Sequence, residues 1–118
     1  MNCVFCKIIN KEVLGTFVYE DSEVAVIVPK EQVSDGHVLV IPKNHYQDIF
    51  DIDNTVLQNI VSISKKISIN TVETTSYTSV NLLNASGKDA QQSVFHFHLH
   101  IVPRKPDDGL DLWIRQHL

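Results

Sequence analysis

The sequence predicts an α+β fold: a five-stranded, mostly antiparallel sheet with one long helix on a face and a short helix near the N-terminus. Three observations predict it. Short β-branched runs bounded by Pro, Gly, Asp and Ser recur along the chain. They are interrupted once, by a stretch whose apolar residues fall at helical spacing, so that three strands precede the helix and two follow it. The length, 118 residues and 13.4 kDa, suits one hydrophobic core, and the expectation is a single domain over residues 1–118.

Taken in order, Lys7-Ile8-Ile9-Asn10 makes a short helical turn. Residues 16–20 and 23–28 read as strands joined at Asp21-Ser22 in a hairpin. Pro29 ends the second strand, and polar residues 30–36 lead into a third at His37-Val38-Leu39-Val40-Ile41, stopped by Pro42. From about Asp53, residues Val56, Leu57, Ile60, Val61, Ile63 and Ile67 mark one face of an amphipathic helix. Asp51 and Asp53 suit its start, and Lys65 and Lys66 its later part, as the helix dipole prefers. The Thr/Ser-rich residues 71–76 leave the helix, 77–83 form strand four, and 84–89 are a polar loop. Phe95 to Val102 form strand five, stopped by Pro103. In the tail, residues 107–114, the amphipathic end around Trp113 requires a surface to dock on.

Hydrophobic residues make up 43% and charged residues 20%, the balance of a globular protein. The net charge of −4 repels phosphate backbones and no basic stripe offsets it, so nucleic acid is not an expected partner. No apolar run approaches the ~20 residues of a membrane span and the N-terminus carries no signal-like apolar core, so no membrane is expected and the cytoplasm is the default location.

Two features carry chemistry. Cys3 and Cys6 form a Cys-x-x-Cys pair, which in a reducing compartment points to metal or redox chemistry rather than a structural disulfide. His96, His98 and His100 alternate with Phe97 and Leu99, so a strand there turns all three imidazoles to one face and Phe95, Phe97, Leu99 and Ile101 to the core. One histidine in a strand is ordinarily structural. Three on one face are hard to explain as packing, because each buried ring brings two nitrogens that need partners. Imidazole, with an unperturbed pKa of about 6.5, is a nucleophile that also handles protons near neutrality. The competing reading is a metal site, since alternate histidines also chelate zinc or copper.

At Ser93-Val94-Phe95-His96-Phe97-His98-Leu99-His100-Ile101-Val102 the chain resembles the histidine triad (HIT) family, whose signature alternates three histidines with hydrophobic residues. Gly36-His37-Val38-Leu39-Val40-Ile41-Pro42-Lys43-Asn44-His45 is similar to the family's other characteristic strand, and Cys3 to Ile9 to the opening of bacterial Hint-like members. The resemblance implies a nucleotide-binding hydrolase or transferase that cleaves the α-phosphorus bond of purine nucleoside phosphoramidates or related conjugates. His98 would be the nucleophile and form a nucleotidyl-histidine intermediate. His100 and His37 would support it and the phosphate, and Ser93 would place a hydroxyl near the leaving group. Asn84, Ser86 and Gln92, with Ser93 and His100, are the implied substrate contacts. A structural zinc is implied on Cys3, Cys6, His45 and His96, a closed tetrahedral set, and a two-fold homodimer formed by joining sheets. Pro29 stands where nucleotide-hydrolysing relatives carry an aspartate that binds the ribose hydroxyls, and Ala85 where they carry Asn or Gln. These departures motivate a second expectation, a catalytically weak nucleotide-binding regulatory module with the same fold. A third is a metal-handling protein whose triad binds exchangeable metal.

Overall fold

The computed structural model describes residues 2–114. Its sheet has five strands, β1 (Phe17–Glu20), β2 (Val24–Ile27), β3 (Val38–Pro42), β4 (Ser79–Leu83) and β5 (Leu99–Arg104), in the order β1-β2-β3-β5-β4, every pair antiparallel. The expected hairpin is present. Asp21 Oδ1 accepts from the backbone N–H groups of Glu23 and Val24, both at 2.8 Å, and so closes the turn that joins β1 to β2.

The long helix, α2 (Asn54–Thr74), starts where Asp53 accepts from the N–H groups of Thr55 and Val56. It runs past residue 71, where the Thr/Ser-rich stretch predicts an end. Ser68, Thr71, Thr74 and Thr75 each return a hydroxyl hydrogen bond to the carbonyl four residues back, at 2.6–2.9 Å. Residues that usually compete with a helix therefore cap its own carbonyls instead. Lys65 and Lys66 consequently sit mid-helix rather than at its dipole-favoured end. The short helix, α1 (Val4–Ile9), begins three residues before the expected turn because Cys3 caps it, its sulfur accepting from the Cys6 N–H.

Strand alternation sends Val24, Val26, Val38, Val40 and Ile101 to one face, where Val56, Ile60 and Ile63 of α2 cover them with Phe97. Ala25, Ile27, Leu39 and Ile41 point to the other, where Cys3 and Phe5 pack. Both faces of β2 and β3 are thus buried.

Strand five starts at Leu99, not Phe95, and its first approach to the sheet is irregular: the Phe97 N–H donates to the Tyr46 carbonyl at 2.7 Å. Phe97 still reaches the α2 core, but Phe95 is 46% exposed and leaves the predicted apolar row. Pro42 is the last residue of β3, which ends there as expected, whereas Pro103 lies inside β5, one residue before its end. At each, the β3–β5 pairing has already ended, so the strand has one neighbour and its missing N–H breaks no ladder. The tail docks only in part. Arg104 holds Asp108 and the Leu110 carbonyl, and Leu112 and Ile114 reach a cleft beside His37 and His100, while Trp113 is 69% exposed. No helix among the described residues is long and apolar enough to cross a membrane.

Candidate functional site

The chain between Gln92 and Leu99 crosses the face covered by α1, and it brings two histidine clusters side by side. Cys3, Cys6, His45 and His96 turn one ligand atom each inward, all within 4.8 Å of one another. The His96 Nδ1 lies 3.4 Å from Cys3 Sγ, 3.6 Å from Cys6 Sγ and 3.2 Å from His45 Nδ1, and Cys6 Sγ is 3.4 Å from His45 Nδ1. Metal–ligand bonds of about 2.0–2.3 Å arranged as a tetrahedron give edges of about 3.3–3.8 Å. Four of the six separations, 3.2–3.6 Å, lie in or next to that range, and the four residues could bind a metal. The donor chemistry agrees: His96 Nε2–H donates to the Pro42 carbonyl at 2.8 Å, which leaves the Nδ1 lone pair facing the thiols. Burial first, and then Cys3, pushes the Cys6 thiol up to about 11, so that thiol ionises poorly on its own, and a divalent cation reverses that balance.

Two residues on, His98 is buried, and its Nδ1 lies 2.8 Å from the His96 carbonyl. A carbonyl can only accept, so the proton is on Nδ1 and Nε2 keeps its lone pair. Burial holds the ring's pKa below the ordinary histidine value. Phe5 of α1 stands edge-on to both His96 and His98, with centroids 5.7 and 5.2 Å away.

The proton positions of His37 and His100 are also assigned by their neighbours. The Val33 N–H donates to His37 Nδ1 at 3.1 Å, so a neutral His37 carries its proton on Nε2 and donates it to His100 Nδ1 at 2.9 Å. His100 is then left with Nε2–H as a donor. Both rings are kept neutral: burial lowers His37, and burial, with His98 and His37 adding to it, lowers His100 to about 4. The loop that supplies the Val33 N–H is held by Ser34, which donates to the Pro103 carbonyl at 2.9 Å, and by Gly36, whose φ of 86° a side chain would strain.

A cavity of about 340 Å³ adjoins His98 and His100 and is also lined by Ser93, Phe5 and Ile8. Ser93 is exposed on its wall and lines the cleft over Cys3 and His45 as well. The other three loop residues serve the protein. Asn84 donates to the His98 carbonyl at 3.0 Å and accepts from the Ser86 hydroxyl at 2.8 Å, and Ser86 accepts from the Ile49 N–H. Gln92 is buried, donating to the carbonyls of Gln47 and Val94 and accepting from the Gly87 N–H. Asn84 does line the cleft beside His37 and His100, whereas Gln92 ties loops together away from the His98 cavity. Phe5 and the backbone groups of Val33, Pro42 and His96 were not predicted. The backbone groups have no signature in side-chain identity, and Phe5 stood out only as one apolar residue in the opening motif.

An antiparallel α+β sheet bearing a histidine row beside a Cys₂His₂ cluster defines a histidine-triad type of protein. The HIT domain family model matches residues 10–107, and the chain belongs to that family. It is 38% identical over 103 residues to Protein hit from Bacillus subtilis, covering 87% of this chain and 71% of that protein. It is 39% identical over 117 residues to Adenylylsulfatase HINT3 from Arabidopsis thaliana, covering 99% of this chain and 58% of that one. A zinc-bound histidine triad family protein from Mycobacterium smegmatis superposes with a TM-score of 0.90 at 34% identity, over 95% of this chain and 81% of that one. A HIT family protein from Bacillus anthracis gives 0.89 at 43% identity, covering 98% and 83%.

Proposed function

We propose that this chain is a nucleotidyl hydrolase or transferase that cleaves the bond between the α-phosphorus of a nucleotide and its leaving group, as in a purine nucleoside phosphoramidate. The observation that carries the reading is the His98 Nδ1 contact of 2.8 Å with the His96 carbonyl, which leaves an unprotonated Nε2 beside a cavity. That nitrogen attacks phosphorus, the bond to the leaving group breaks, and the nucleotide is held on His98 until water displaces it. The His96 carbonyl stabilises the cationic ring formed in the first step. The His100 Nε2–H, set by His37 and Val33, donates to a phosphoryl oxygen as charge builds there, and the Ser93 hydroxyl lies within the same cavity. The name of the Arabidopsis relative, an adenylylsulfatase, supports nucleotide hydrolysis as the class.

The cluster of Cys3, Cys6, His45 and His96 would hold zinc, for which two thiolates and two imidazoles are a closed set with no position left for substrate. Bound there, the ion supplies cross-linking rather than chemistry on the substrate.

The test is to incubate the zinc-loaded protein with adenosine phosphoramidate and search by mass spectrometry for an adenylyl adduct. An adduct on His98, with turnover at least about a thousandfold lower in His98→Ala, is expected. Absence of both turnover and label across a panel of such conjugates refutes the reading. A second reading, a weakly catalytic binding module, is favoured by the engagement of Asn84, Ser86 and Gln92 within the protein. Tight nucleotide binding with equal turnover in wild type and His98→Ala would establish it instead.

A further inference from the structure

Cys3 and Cys6 stand one helical turn apart at the start of α1, where the Lys7 N–H donates to the Cys3 carbonyl at 3.0 Å and the Cys6 N–H to the Cys3 sulfur at 3.4 Å. Positions three apart on an α-turn have Cα atoms about 5 Å from each other, inside the span of about 4.4–6.8 Å that a disulfide bridges. The two sulfurs lie within 4.8 Å of each other, and both are free thiols. The pair that could hold a metal is therefore also placed to form a disulfide. The two states exclude each other, because a disulfide sulfur has given up the thiolate charge that binds zinc. A small solute can reach both sulfurs: Cys6 is half-buried, and a cleft of about 460 Å³, lined by Asn2, Val4 and Gln47, opens onto Cys3 and His45.

The same cysteines bracket Phe5, which stands edge-on to His98 at 5.2 Å and walls the cavity beside it. His96, whose ring faces both sulfurs, carries the carbonyl that holds the His98 proton. We propose that Cys3 and Cys6 are a site of reversible oxidation by hydrogen peroxide, and that forming their disulfide releases zinc and frees α1, with its Phe5 wall, from the His98 cavity. The proposal rests on the cluster holding zinc. The Cys6 thiolate, the more exposed of the two, attacks a peroxide oxygen; the O–O bond breaks, hydroxide leaves and Cys6 becomes a sulfenic acid. The Cys3 thiolate then attacks the Cys6 sulfur, the S–S bond forms and a second hydroxide leaves, so that two electrons pass from the sulfur pair to the peroxide. The imidazoles of His45 and His96 that remain are too few to hold zinc. A helix of six residues, left with only the packing of Phe5, Ile8 and Ile9 on the lower core, then opens readily. Exchange with a dithiol reverses the oxidation.

The test treats the zinc-loaded full chain with a small excess of hydrogen peroxide and follows zinc with a chromogenic chelator, the intact mass, and amide exchange. The expected result is release of the zinc, a mass lower by two hydrogen atoms with neither cysteine open to alkylation, and exchange in residues 3–9 faster by about tenfold or more while that in β2 and β3 is unchanged. A dithiol reductant with added zinc restores all three. Zinc retained after the treatment overturns the proposal, as does zinc released with sulfinic or sulfonic acid in place of the disulfide, or a disulfide that leaves exchange in residues 3–9 as it was. A chain that carries no zinc before the peroxide is added overturns the zinc reading and the proposal with it, so the first measurement tells the two failures apart.

Discussion

Three imidazoles packed a few ångströms apart could exchange protons in many arrangements, yet here a backbone N–H and a backbone carbonyl assign every one. Val33 fixes His37, His37 fixes His100, and the His96 carbonyl fixes His98. The arrangement holds only while the rings are neutral, which ties stability to pH. The unfolded chain binds a proton on His100 near the ordinary value of about 6.5, whereas the folded chain resists until about 4. Between those values the unfolded state binds more protons, so stability is fully present above pH 6.5 and drains away as pH falls toward 4. The full shift corresponds to about 2 kcal/mol between pH 7 and pH 5; with solvent screening of this partly exposed ring, urea unfolding of the wild type should lose about 1 kcal/mol more over that range than His100→Asn, which lacks the titrating ring. Equal losses in the two proteins would show that His100 is not held neutral by the fold.

At the scale of the element, α1 is the part most dependent on something other than its own sequence. Six residues are too few for a helix to persist alone, and this one is fixed by the Cys3 cap, by Phe5 in the lower core and by the cysteines at its first turn. With zinc bound, one ion joins α1 to His45 and His96 on two distant parts of the chain. Stripping it with a strong chelator should lower the melting temperature by on the order of 10 °C and raise amide exchange in residues 3–9 ahead of β2 and β3. Elemental analysis should find one zinc per chain, lost in Cys6→Ser. Uniform exchange, or an unchanged melting temperature, would remove the cluster's structural role. The central strands, the hairpin and the α2 start were legible in the sequence because period, turn residues and an Asp cap act locally. The end of α2 was not, since the same Thr and Ser residues either break a helix or bond back along it, and tertiary contacts decide which. The beginning of β5 was hidden for a related reason: alternation of Phe and His continues through a segment whose backbone is bound by Tyr46 rather than by a strand. Of the site, the metal set could be named from spacing and resemblance, but the engagement of Gln92 and Asn84 depends on loops meeting in space.

For the molecule as a whole, the sheet has two open edges, and they differ. β1 carries Glu20 between Lys11 and Lys43, a charged border that discourages pairing. β4 exposes Leu82 at 45%, so apolar area is left over on the edge where a second copy could join the sheet. Light scattering after size exclusion should therefore return twice the 13.4 kDa chain mass, and Leu82→Glu should shift it toward one. A monomer at micromolar concentration would dispose of that assembly. The double burial of β2 and β3 reaches further than packing. Since neither strand has a free side, a mutation that alters what the protein accepts without loosening it falls instead on the cavity's other walls, α1, residues 29–36 and residues 84–94, or in the tail. Divergence of this scaffold, by natural drift or at the bench, is therefore a matter of rewriting its rim while the middle stays fixed.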